Sequence, residues 1–122
     1  MTACEIVQIA LLAANTHNIR PDALVAIAMH ETRLRVVNGD RGVSKGPWQL
    51  NCKVWLQVPC RRKMSVEKQA YFAAELFRKY RKKRRTLRGA IQLWNSKSKR
   101  YSRKVLRKMR KARKLIAKCT QE

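Results

Sequence analysis

Glycine, proline and acidic residues are all scarce in this chain of 122 residues. Four glycines and three prolines exclude collagen-like and low-complexity sequences. No apolar run approaches the roughly 20 residues that a membrane-spanning helix needs, since the longest lie near residues 9–14 and 23–29. No Lys or Arg precedes the first apolar run, and Glu5 lies where a signal peptide would be basic. We therefore expect no signal peptide.

The charge is strongly unbalanced. Only seven acidic residues oppose 30 Lys and Arg, which leaves a formal net charge of +23. Residues 61–122 carry 24 basic and three acidic side chains, whereas residues 1–60 carry six and four. This density predicts a polyanionic partner, which is nucleic acid, an acidic membrane surface or a charged cell envelope. Because 45% of the residues are hydrophobic, the chain can still build one core, and its length suits a single domain.

Four cysteines, Cys4, Cys52, Cys60 and Cys119, allow three disulfide pairings. A 52–60 bond would close a short loop, and a 4–119 bond would tie the first segment to the last. Buried free thiols in a reducing compartment are the alternative. The sequence has no Cys-x-x-Cys pair, and its two histidines do not stand at zinc-finger spacing. We therefore expect neither a metal site nor a cofactor.

The spacing of the apolar residues predicts a mainly helical fold. Thr2 and Glu5 form a capping-box pattern that starts a first helix, which should run to about residue 14. Pro21 suits the start of a second helix, which is apolar on most sides and should therefore be central. Three further helices are predicted over about 66–81, 87–94 and 100–119. The last has one apolar stripe, and nearly everything else on it is basic.

Residues 36–63 differ from the rest of the chain. They show no helical period and contain three of the four glycines and two of the three prolines. This composition predicts a long ordered loop, with a short β-hairpin in it as one interpretation. Loops of this length inside compact domains are usually functional.

Glu31 is the residue that most strongly indicates chemistry. It ends the apolar second helix, where the helix dipole and apolar neighbours should raise the pKa of its carboxyl. A raised pKa keeps a carboxylic acid protonated, as a general acid requires. The loop that follows adds three polar side chains, Asp40, Ser44 and Gln49.

This segment resembles the goose-type lysozyme and soluble lytic transglycosylase superfamily. The family pattern Ala-Ile-x-x-x-Glu-Ser is similar to residues 26–32, with Thr32 in place of Ser, and the family's Gly-x-x-Gln matches residues 46–49. Residues 39–42 are similar to a loop of goose-type lysozymes. The family's Ala-Tyr-Asn-x-Gly and a later Tyr correspond to Trp94, Asn95 and Tyr101, although Trp replaces Tyr and the Gly is missing. The resemblance covers about residues 15–110.

The resemblance implies a lysozyme-like catalytic domain over residues 1–122 that cleaves the β-1,4 bond between N-acetylmuramic acid and N-acetylglucosamine. Glu31 would be the catalytic acid. In a lytic transglycosylase, which we favour because acids are few, the muramic acid's own C6 hydroxyl attacks and a 1,6-anhydro product forms. In a goose-type lysozyme an activated water attacks, which needs Asp40 as a second carboxylate. The substrate-binding residues would be Ser44, Gln49, Trp94, Asn95 and Tyr101.

A basic nucleic-acid-binding protein is the competing interpretation, since charge alone fits it equally well. That interpretation leaves Glu31 and the glycine-containing loop unexplained. We therefore expect a monomeric enzyme whose partners are peptidoglycan glycan strands and the anionic cell envelope, with nucleic acid bound only non-specifically. Such an enzyme would act on the cell wall, outside the cytoplasm, as a phage-type lysin or a virion-associated enzyme.

Overall fold

Helices form most of the structure, a computed structural model that describes residues 1–95 and 98–121. The helices of this described part are α1 (Ala3–Thr16), α2 (Pro21–Thr32), α3 (Val66–Lys83), α4 (Leu87–Trp94) and α5 (Lys99–Cys119). A small antiparallel sheet in the order β1-β2-β3 lies between α2 and α3, and its strands are β1 (Asn38–Gly39), β2 (Ser44–Lys45) and β3 (Leu50–Asn51). The predicted mainly helical fold with a short hairpin is confirmed. No helix within the described residues is long and apolar enough to cross a membrane.

Helix α2 lies at the centre of the fold. Every side chain from Asp22 to Ala28 is buried, and seven consecutive helical residues cover all faces of a helix. The helix is enclosed by α1, α3 and α5, with α5 as its main neighbour. The indole nitrogen of Trp48, in the turn before β3, donates a hydrogen bond to the Leu24 carbonyl at 3.0 Å. The expectation of a central second helix is confirmed.

Side-chain caps set where the helices begin. Thr2 and Glu5 complete the predicted capping box of α1, and Ser65 and Thr86 cap α3 and α4 as hydroxyl acceptors. Helices α1 and α3 each end two residues beyond the predicted position, at Thr16 and Lys83. Thr16 can extend α1 because its hydroxyl donates a hydrogen bond to a backbone carbonyl of the same helix. Lys83 can extend α3 because a cation is stabilised at the negative C-terminal end of a helix.

Asp22 ties the start of α2 to α5. Its buried carboxylate accepts two hydrogen bonds from Arg20, at 2.8 and 3.1 Å, and one from Arg113 at 3.2 Å. Burial acts to raise the pKa of Asp22, but the hydrogen bonds from Arg20 and Arg113 outweigh it and hold the pKa below its usual value. The pairing with Arg113 could not be predicted from local sequence, because Arg113 lies 91 residues away in the chain.

Two disulfides join the four cysteines in the pairs Cys4–Cys119 and Cys52–Cys60. The free-thiol alternative is therefore wrong for this structure. The first bond links α1 to the end of α5 across a sequence separation of 115, and the second closes a loop with a separation of 8. Each pair has its Cα atoms 5.2 Å apart.

Removing the 4–119 disulfide should destabilise the protein far more than removing the 52–60 disulfide. Loop-closure entropy predicts losses of about 5 and about 2.5 kcal/mol for these separations. The comparison is between the Cys4→Ser/Cys119→Ser and Cys52→Ser/Cys60→Ser variants, each unfolded in urea without reductant. Equal losses, or four alkylatable thiols in the untreated native protein, would contradict this assignment.

Candidate active site

Glu31 lies in the last turn of α2, with its side chain half-buried. Burial raises the pKa of its carboxyl to about 7, and the negative charge of Asp40 contributes in the same direction. Both effects disfavour the ionised form, so this carboxyl holds its proton in the pH range where ordinary carboxyls have lost theirs. This is the protonation state that general-acid catalysis requires.

The hydroxyl of Thr32 fixes the loop against the end of α2. It lies 3.0 Å from the Pro47 carbonyl and 3.2 Å from the Ala28 carbonyl, and it accepts a hydrogen bond from the Arg35 amide. A Ser at this position would offer the same donor and acceptor, so having Thr32 in place of Ser preserves the hydrogen bond to the Pro47 carbonyl. The loop that carries the other predicted residues is thereby held beside Glu31.

Asp40 lies at the tip of the turn between β1 and β2, where it and Arg41 both have positive φ angles, of 52° and 56°. The buried hydroxyl of Ser44 donates a 2.5 Å hydrogen bond to the Asp40 carboxylate. Ser44 was predicted to bind substrate; in the structure its hydroxyl donates to Asp40, and its contact with substrate stays a prediction. Within the described residues Asp40 forms no ion pair, with Arg41 or any other cation.

Gln49 braces the loop from inside. Its side-chain amide nitrogen donates to the carbonyls of Val37 and Gly46, at 3.0 and 2.9 Å. Its side-chain oxygen lies so close to Gly39 that any Cβ there would overlap it, which explains a glycine at that position. Both amide protons of Gln49 are thus used by hydrogen bonds within the loop. Its contact with substrate stays a prediction, and the side-chain oxygen is the atom that would make it.

An open groove of about 270 Å³ runs between the sheet and helices α3 and α4. Its walls combine aromatic rings with amides, contributed by Gln49, Asn51, Trp55, Tyr80 and Trp94. The Trp94 ring meets Tyr80 edge to face, with the ring centroids 6.0 Å apart. Aromatic faces next to hydrogen-bonding side chains suit a ligand that is partly apolar and partly hydroxylated, as a sugar chain is.

Tyr101 lies in the first turn of α5 with its ring buried against the edge of His30, at a centroid distance of 5.0 Å. Burial and the charge of Glu31 raise the pKa of its hydroxyl well above the usual value. That hydroxyl is buried and has no hydrogen-bond partner in the described part of the chain. Tyr101 therefore stays protonated and keeps a donor available close to Glu31.

The predicted site residues fall into three groups, and Glu31 and Asp40 are not among the residues that line the aromatic groove. Glu31 interacts electrostatically with both Asp40 and Tyr101, whereas Gln49 and Trp94 line the groove. Exposed Asn95 lines a separate hollow together with Tyr101. The Ser96-Lys97 departure from the family pattern lies outside the described residues.

Sequence reasoning missed two aromatic walls of the groove, Trp55 and Tyr80. Tyr80 packs against the hydrophobic core from α3, and it also lines the groove. No sequence signal identifies Trp55, which lies inside the Cys52–Cys60 loop and lines the groove next to Val54.

No protein family, curated protein or solved structure matches this chain. The candidate site is therefore defined by its own geometry: a proton-holding carboxyl, a second carboxylate, a buried phenol and an aromatic groove.

Replacing Asp40 by Asn should lower the pKa of Glu31, because the variant removes a negative charge that disfavours ionisation of Glu31. The pKa should stay above that of an exposed Glu, since burial is the larger cause. NMR titration of the Glu31 carboxyl measures both effects. Glu67→Gln, on the exposed start of α3, removes the same charge and should leave Glu31 unchanged. An unaltered Glu31 pKa in Asp40→Asn would show that the two carboxyls do not interact.

Proposed function

We propose that this protein cleaves the β-1,4 bond between N-acetylmuramic acid and N-acetylglucosamine in peptidoglycan, as a lytic transglycosylase. The observation that carries the proposal is Glu31, whose pKa of about 7 lets it act as an acid near neutral pH. Two further features support it: the aromatic groove beside the loop, and the resemblance of residues 26–32 and 46–49 to the goose-type lysozyme and lytic transglycosylase superfamily.

In the proposed reaction one carboxyl serves twice. Glu31 donates its proton to the bridging oxygen as the glycosidic bond breaks, and positive charge develops on the muramic acid ring. The C6 hydroxyl of that ring then attacks its own C1, and the Glu31 carboxylate takes the hydroxyl proton. The new C1–O6 bond gives a 1,6-anhydro sugar, the enzyme regains its starting protonation state, and no water is consumed.

Asp40 supports the reaction by its charge. An oxocarbenium-like transition state is positive, and the ionised Asp40 is near enough to Glu31 to influence it electrostatically. The hydrogen bond from Ser44 holds this carboxylate in one orientation. The phenol of Tyr101 offers a further donor to the substrate or to Glu31 as charges change.

Hydrolysis by the goose-type route is the second candidate, and Asp40 is again the observation that favours it. A carboxylate that interacts electrostatically with the catalytic acid and has no cation as partner among the described residues is suited to activating a water. The two routes share the first half of the reaction and differ in product, because hydrolysis leaves a reducing end and transglycosylation does not.

The net charge of +23 supports a polyanionic target such as the bacterial envelope. The apolar stripe of α5 is buried in the core, at Val105, Met109 and Ala112, so its exposed surface is almost wholly cationic. Such a surface attracts the enzyme to an anionic wall electrostatically, and it would bind nucleic acid non-specifically in the same way. This supports action at the cell wall, outside the cytoplasm, as a phage-type lysin, and it implies a strong dependence on salt.

Glu31→Gln should abolish wall lysis while leaving the fold intact, because an amide cannot donate and retrieve a proton. The loss should reach at least the 10²–10⁴-fold that general acid–base catalysis typically contributes. Lysis of purified peptidoglycan measures it, with circular dichroism to check the fold and Glu67→Gln as the charge-matched control. Near-normal lysis by the folded variant would exclude Glu31 as the acid.

The pH profile of the native enzyme should follow the same carboxyl. Glu31 must be protonated to begin the reaction, so kcat/KM should fall as pH rises through about 7, by about tenfold for each pH unit above it. A rate that continued to rise above pH 7 would contradict the acid role.

The released muropeptides should carry 1,6-anhydro ends, and Asp40→Asn should reduce the rate only partly without changing that product. Mass spectrometry distinguishes the anhydro product from the hydrolysed one by the mass of one water. Reducing ends, together with an Asp40→Asn variant as inactive as Glu31→Gln, would instead identify a goose-type hydrolase.

A further inference from the structure

Helix α5 forms another concave surface, apart from the aromatic groove. His30, Lys104, Arg107, Lys108 and Lys111 line an open basin of about 410 Å³, called here the basic basin. The four cations recur at spacings of three and four residues, which places them on one face of α5. His30, in the last turn of α2, forms the other wall of the basin, so the cations line a hollow between two helices.

The cations of the basic basin form no ion pair with an acidic side chain in the part of the chain that the structure describes. The ion pairs in the described residues are Arg20–Asp22, Arg113–Asp22 and Lys79–Glu75, none of which involves the basin. Like charges this close repel one another, so placing these cations together lowers the free energy of unfolding of the protein. Such an arrangement is characteristic of a surface whose anion comes from outside.

His30 shows how the basin behaves when no anion is bound. The ammonium of Lys108 lies 3.3 Å from its Nδ1, and since an ammonium can only donate, the imidazole must accept at this nitrogen. Burial, then the charges of Lys108 and Lys104, lower the pKa of His30 below its usual value. The ring is therefore neutral at pH 7 and has one further N–H to offer, at Nε2.

We propose that the basic basin is a phosphate-binding site, and that it holds the phosphate headgroups of an anionic lipid surface. Several N–H donors converge on one hollow, and a phosphate oxygen accepts from lysine as from a point charge. The hollow holds only about 410 Å³, so a headgroup on a flexible carrier can enter it, whereas the stiff backbone of a nucleic-acid duplex can only lie across its rim. The site follows from the charge and shape of the basin and is independent of the enzymatic proposal.

The mode of lipid contact also follows from the structure. Because the apolar stripe of α5 is buried against α2, the helix has no apolar face free to enter a bilayer. Binding therefore stays at headgroup level and is purely electrostatic, in contrast to amphipathic helices that insert. It should weaken steeply with salt and should not perforate the membrane.

The two histidines provide a direct test, because His30 lies in the basin and His17 lies in the loop after α1. In an NMR titration at constant ionic strength, pyrophosphate should raise the pKa of His30 by about 1, the lower end of the effect of an opposite charge within about 4–6 Å. The imidazole chemical shifts of His17 should not respond to pyrophosphate. No turnover is measured, so the result is independent of whether the protein cleaves peptidoglycan.

Lys104→Gln/Lys108→Gln is the informative variant. It should raise the starting pKa of His30, because two repelling charges are gone, and should remove the response to pyrophosphate. The control, Lys82→Gln/Lys83→Gln at the end of α3, makes the same chemical change at exposed positions and should respond as the native protein does. An unresponsive His30 in the native protein, or a full response in the basin variant, would overturn the site.

Vesicles then test the source of the phosphate. Phosphatidylglycerol vesicles should bind the native protein and the α3 control, and should bind the basin variant about 25-fold more weakly, at about fivefold for each lost cation near an anionic surface. Phosphatidylcholine vesicles should not bind. A DNA duplex that raises the pKa of His30 when phosphatidylglycerol does not would overturn the lipid assignment in favour of nucleic acid.

Discussion

The burial of α2 on every face is the constraint on which the rest of the structure depends. Alanines at 23, 26 and 28 let α1 and α5 approach its backbone closely, and Trp48 hydrogen-bonds to its Leu24 carbonyl. A helix surrounded in this way ends abruptly where the neighbours stop, and Glu31 lies at that boundary between the dry core and the open site. The raised pKa of its carboxyl is thus mainly a consequence of packing, with the charge of Asp40 as the smaller cause.

Local signals explain how much of the fold the sequence could predict. A helix begins where one side-chain hydroxyl accepts a hydrogen bond from a backbone amide of the first turn. This signal is local, so Thr2, Ser65 and Thr86 could be identified as N-caps from the sequence. The apolar stripe of α5 likewise follows from spacing within one segment. The position of Glu31 was predictable for the same reason, because both its helix-end placement and its apolar surroundings are visible in the neighbouring residues.

Features that depend on distant residues were not predictable. The groove needs Trp55 from a disulfide loop, Tyr80 from α3 and Trp94 from α4, and no periodicity relates these three positions. Asp22 meets Arg113 only because α5 packs along α2. The contacts of Ser44 and Gln49 inside the loop were not predictable either, because they join residues that only the folded loop brings together. Ser44 donates to the Asp40 carboxylate, and Gln49 donates to the carbonyls of Val37 and Gly46. That both residues bind substrate stays a prediction.

The bond between Cys4 and Cys119 has a mechanical consequence. Tension applied to the chain outside these residues passes from one sulfur to the other and bypasses everything between them. The helices and the loop that carries the candidate site therefore bear no force when the two ends are pulled. For the same reason, pulling alone cannot thread the oxidised chain through a pore that admits one strand at a time. A single cut at any exposed loop likewise leaves two pieces that stay covalently joined, so the protein behaves as a closed ring rather than as a string.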